Sequence, residues 1–101
     1  MLNATNHYTK GREAYIKGDY FIALKEFHLS ARQHNSNAYM ELGIMYEKGI
    51  GTKANGMSAL YWYYKAKKAG NSYAKEKLTP SFVKELESAS TEEEKIEDSD
   101  Y

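Results

Sequence analysis

Apolar side chains recur along this chain at helical spacing. In 20–33, Tyr20, Ala23, Leu24, Phe27 and Ala31 follow the i, i+3, i+4, i+7 rhythm of one helix face. Residues 5–17 place Tyr8, Gly11 and Tyr15 on one face, and 38–48 do the same with Tyr39, Leu42, Gly43 and Tyr46. A fourth stripe, in 56–69, consists of Ala59, Trp62, Tyr63 and Ala66. Residues 72–78 predict a short fifth helix. Thr79-Pro80 supplies the cap and first turn of a sixth, carrying Phe82, Val83 and Leu86. The breaks between these stripes are chemically marked. Gly18-Asp19 reads as a stop and an N-cap, Asn35-Ser36-Asn37 as a break and recap, 49–55 as a loop ending in the cap Asn55, and Gly70-Asn71 as a stop. No segment alternates apolar and polar residues for the length of a strand, so the predicted class is all-α.

The pattern repeats. Shifting the chain by 36 residues lays Ala23 on Ala59, Leu24 on Leu60, Asn35 on Asn71, Ser36 on Ser72, Ala38 on Ala74 and Leu42 on Leu78. Upstream the shift becomes 31, with Tyr15 on Tyr46, Lys17 on Lys48 and Gly18 on Gly49. The difference falls in one place, where the second unit has the longer glycine-containing loop. One helical hairpin cannot bury its own apolar face, so such units stack and their ends need covering. The expectation is a short α-solenoid of two helical hairpins plus a C-terminal capping helix. The helical repeat domain spans 1–88, with units of about 5–35 and 36–71 and a cap at 72–88. Gly43, Ala59 and Ala66 would let helix backbones approach, with Trp62 and Tyr63 filling the space beside them. Gly49 and Gly51 would supply the positive φ that lets the chain leave a helix and turn.

Residues 38–78 resemble a Sel1-like repeat, a relative of the tetratricopeptide repeat. The residues that carry the resemblance are Ala38, Leu42-Gly43, Tyr46, Gly49, Gly51, Asn55, Ala59, Trp62-Tyr63, Ala66, Gly70, Ala74 and Leu78. Residues 11–43 are a weaker copy, nearer the tetratricopeptide pattern. The chain departs from the family at Lys67, where a second alanine is usual, at Thr52 and at Asn55. The resemblance implies a non-catalytic module, an adaptor or an inhibitor, that binds a protein or peptide. In related arrays the first helix of each hairpin lines the concave surface. Carried over, this gives a partner-binding set of Tyr8, Arg12 and Tyr15, then Asn37, Met40, Ile44 and Lys48, then Tyr73.

Charge adds a second reading. The formal net charge of the 101 residues is zero. Yet 1–84 hold thirteen bases and six acids, and 85–101 hold eight acids and one base. A basic body is joined to an acidic tail, and a neutral total conceals two strong local fields. Lys65, Lys67, Lys68, Lys75, Lys77 and Lys84 make binding of nucleic acid or another polyanion the alternative function, with the tail as modulator. The tail from 89 is expected to be disordered. It either engages a basic surface, its own or a partner's, or serves as a solubilising extension.

Other chemistry is poorly supported. The chain has no cysteine, so disulfides and thiolate sites are absent. Gly49 to Ala54 fits a loose G-x-G-x-x-A pattern, but a dinucleotide site needs a strand before it and here a helix precedes. His28 and His34 are six apart and share no helix face. All three histidines, with His7, are expected on the surface. The reading is no catalytic residues, no metal and no cofactor, in a cytoplasmic protein without a membrane partner, as a monomer or homodimer.

Overall fold

The computed structural model describes residues 6–81 and Lys84. Among them are five α-helices: α1 (His7–Lys17), α2 (Tyr20–Arg32), α3 (Ser36–Lys48), α4 (Gly56–Lys68) and α5 (Ser72–Lys77). No strand occurs among the described residues. The predicted covering residues Phe82, Val83 and Leu86, and the acidic segment from 89, lie outside the described residues.

Asparagine sets where the helices begin. The side-chain oxygens of Asn6, Asn35, Asn55 and Asn71 accept from the backbone N–H groups of Thr9, Asn37, Ser58 and Tyr73, at 2.9–3.1 Å. Each bond satisfies an amide that the helix geometry leaves without an internal partner. Asp19 stands at the expected cap of α2 but makes no side-chain cap bond. Two glycines set where helices end. Gly18 closes α1 at φ 86° and Gly49 closes α3 at φ 72°, a left-handed conformation that costs other residues a Cβ clash.

α1 packs on α2 and α3 on α4, giving the expected two hairpins; α2 joins them through α3, and α5 packs on α4. The fold is a small all-α, repeat-like array. Phe27, Leu42 and Met45 are fully buried at its centre. Each such side chain contributes roughly 1.5–3 kcal/mol by leaving water. At Gly43 the close neighbour is the ring of Tyr63, one of the two side chains expected to fill the space beside it. A Cβ added there would stand 2.5 Å from Cδ1 and Cε1 of Tyr63. The first hairpin repeats the device, for a Cβ on Gly11 would stand 2.6 Å from Cε1 of Phe27. In each hairpin a helical glycine admits an aromatic ring from the next helix.

The seam between hairpins is aromatic. Trp62 of α4 stacks on Tyr39 of α3, with centroids 5.9 Å apart and planes at 26°. It meets the His28 ring of α2 edge-on at 5.6 Å. Under the 36-residue shift the first-hairpin counterpart of Trp62 is Glu26, whose carboxylate accepts from His7 Nδ1 at 2.7 Å. The outer flank of the first hairpin is therefore polar where the seam is aromatic.

The surface expectation for the histidines fails at His28 and at the half-buried His7; His34 alone is exposed. His28 is half-buried and shares a 2.9 Å hydrogen bond with the Tyr46 hydroxyl. Burial first, and nearby Arg32 second, hold its pKa below the ordinary value near 6.5. The fold thus favours neutral His28, whereas the unfolded chain takes up the proton near pH 6.5. Stability contributed by this residue is complete above that pH and declines as pH falls below it. The pH dependence of the urea midpoint between pH 7 and pH 5 should flatten in His28→Gln. An unchanged slope would place the titration elsewhere.

Candidate binding face

The first helices of the hairpins, α1 and α3, are linked through polar side chains. Arg12 Nη1 donates to the Tyr8 hydroxyl at 3.3 Å, and that hydroxyl donates to Glu41 Oε2 of α3 at 3.3 Å. The Arg12 guanidinium also lies 5.9 Å from the Tyr8 ring centroid. The relay works because Tyr8 and Arg12 are four residues apart and share one flank of α1. The Tyr8 ring, meanwhile, is anchored 5.8 Å from Phe27 in the core. Arg12 remains exposed, so one guanidinium edge is positioned yet still open to a ligand.

A second relay ties α3 to α4 and α5. Glu47 accepts from the Tyr63 hydroxyl of α4 and from Lys77 Nζ of α5, the latter at 3.3 Å. The Tyr63 bond, with help from Lys77, holds the Glu47 carboxyl below its ordinary pKa. Burial, then the Glu47 contact, pushes the Tyr63 hydroxyl well above the ordinary tyrosine value. Both groups therefore stay in their hydrogen-bonding forms across neutral pH.

Between the relays, Met40 and Ile44 are half-buried. Both pack against the cluster of Ala59, Leu60, Tyr63 and Leu78, and Met40 also touches the main core. Asn37 and Lys48 are exposed at the two ends of α3. Tyr73 of α5 is 72% exposed. Tyr15 differs from the rest of the expected set. Its ring lies edge-on to Tyr20 at 5.1 Å and against the core, where it closes the α1–α2 turn. The structure thus brings Tyr8 and Arg12 together through Glu41, and Met40 and Ile44 together over one apolar cluster. Glu41, Glu47 and Lys77 were absent from the expected set. They are the polar ties that hold α1, α3 and α5 to their neighbours. As the only carboxylates of α3, Glu41 and Glu47 carried a usable signal.

The alternate helices α1, α3 and α5 thus carry an aromatic–guanidinium edge, two half-buried apolar side chains and an exposed tyrosine, in that order. No helix among the described residues is long and apolar enough to cross a membrane.

No family model matches the chain, and no solved structure matches it. Among curated proteins it is similar to a rat (Rattus norvegicus) protein named DAP3-binding cell death enhancer 1. The two are 40% identical over 60 residues, which is 59% of this chain and 12% of that protein. The chain therefore spans about an eighth of the length of its relative.

Proposed function

We propose that this chain is a Sel1-like module that catalyses no reaction and holds a protein or peptide segment on the face formed by α1, α3 and α5. The observation that carries this reading is the Arg12–Tyr8–Glu41 relay, which fixes an exposed guanidinium on α1 and ties it to α3, the helix that bears the half-buried Met40 and Ile44. A positioned cation on one helix and apolar surface on the helix tied to it suit a peptide that offers a carboxylate and an apolar side chain, because each preordered group lowers the entropy cost of binding. The rat relative, named for binding DAP3, supports a role in protein binding. In this reading the module is a cytoplasmic adaptor or inhibitor and acts as a monomer or homodimer.

Purified DAP3 is the first partner to try. The full chain should bind it, and Arg12→Glu and Ile44→Asp should each weaken binding at least tenfold, about 1.4 kcal/mol. Circular dichroism would confirm that both variants stay helical. Binding that survives both substitutions would move the contact off this face.

A further inference from the structure

α4 carries Tyr61, Tyr64, Lys65 and Lys68 at i, i+3, i+4 and i+7, so all four lie on one helix face. The tyrosines are half-buried, and the lysines reach over rings. Lys65 Nζ lies 5.1 Å from the ring centroid of Tyr39, 5.8 Å from that of Tyr61 and 5.9 Å from that of Trp62. Lys68 Nζ lies 5.6 Å from the Tyr64 centroid. Cation–π contact holds an ammonium in place without neutralising it. It also covers the ring faces on which a nucleic-acid base would stack. Among the described residues no carboxylate pairs with Lys65 or Lys68. Residues 60–84 hold six lysines and one acid, Glu76. Five of them, Lys65, Lys67, Lys68, Lys75 and Lys77, lie in the last turns of α4 and α5, where they complement the helix dipoles. Lys77 also bonds to Glu47, whereas Lys67, Lys68 and Lys75 remain exposed.

The complementary charge is in the same chain. Residues 85–101 carry eight carboxylates and one lysine and follow directly on Lys84. Seventeen residues can span about 56 Å, more than the 42 Å long axis of the molecule, so the tether does not restrict which face they reach. Tethering also gives an effective concentration on the order of millimolar. We propose that the Tyr61–Tyr64–Lys65–Lys68 face of α4 is a docking surface for acidic peptide segments, and that the segment 85–101 of this chain occupies it. An acidic partner then gains access only by displacing the resident segment. None of these four residues belongs to the proposed partner-binding set, and docking on them does not rest on that reading.

The absence of cysteine makes the test clean, because Ser99→Cys creates a single labelling position without changing charge. With a nitroxide on residue 99 of the full chain, the amide signals of Lys65 and Lys68 should broaden at about 10 mM salt. The broadening should be lost at about 1 M, as the screening length falls from about 30 Å to about 3 Å. Replacing Glu92, Glu93, Glu94 and Glu97 by glutamine in the labelled chain should abolish it at low salt as well. Broadening that ignores both changes, or that centres on α1, would overturn the proposal. So would a single-stranded oligonucleotide that binds the unlabelled full chain equally tightly with and without the four substitutions, since a resident acidic segment must compete with it.

Discussion

Replacing Gly43 by alanine will destabilise the protein by about 1–3 kcal/mol, although alanine is the better helix former by roughly 1 kcal/mol. The sign follows from the 2.5 Å approach of the added Cβ to two carbons of the Tyr63 ring. That ring is 2% exposed, and its hydroxyl is tied to Glu47. Moving it aside would disturb the α4 core and break the bond. Gly56 provides the internal control, because a Cβ there meets nothing within 4 Å, so Gly56→Ala should be neutral or slightly stabilising. Thermal unfolding separates the two, since each kcal/mol moves the midpoint of a domain this size by about 4–8 °C. In a Tyr63→Leu background the cost of Gly43→Ala should shrink, because the two substitutions share one contact. Equal midpoints for the two glycine variants would mean the ring is free to move.

This result bears on what the sequence made legible. Helix positions, the asparagine caps at 35 and 55 and the glycine stops at 18 and 49 were readable because each is a local signal within a few residues, whereas Asn71 read as a stop and caps α5. The repeat was readable because like residues recur at fixed shifts. The glycine–aromatic contact was half-hidden. Gly11 and Gly43 lie 32 residues apart, whereas Gly18 and Gly49 lie 31 apart, so no one shift aligns both pairs. The polar ties were readable only in part: Glu41 and Glu47 stand out as the only carboxylates of α3, but their partners do not. Tyr8 meets Glu41 across 33 residues, Tyr63 meets Glu47 across 16 and Lys77 meets Glu47 across 30. Such pairs depend on how neighbouring helices are set side by side, which no periodicity in one helix encodes. His28 was misplaced for the same reason: its burial comes from Tyr46 and Trp62, on two other helices. Of the candidate face, the helix positions of its residues were legible, and the partners that tie α1, α3 and α5 to their neighbours were not.

Trp62→Ala should be the most damaging single substitution in the seam, with a loss of about 3–5 kcal/mol. Stability in a repeat array is a sum of unit terms and interface terms. Trp62 is 4% exposed and supplies the interface between the hairpins by touching Tyr39 of α3 and His28 of α2. Neither hairpin can absorb that loss, since an array this small has only a few kcal/mol in reserve. Removing the indole should therefore do more than lower the midpoint. Within each hairpin, Phe27 beneath Gly11 and Tyr63 beneath Gly43 remain in place, so the helices retain local packing while the coupling between units is lost. The unfolding transition followed by circular dichroism should broaden, with a smaller urea m-value, because less surface is exposed in each cooperative step. Phe27→Ala, which hollows out a fully buried site next to Gly11, should lower stability to a similar degree without that loss of cooperativity. A Trp62→Ala variant that keeps the wild-type m-value and loses less than about 1 kcal/mol would show that Met45 and Ala38, both fully buried, hold the seam without the indole.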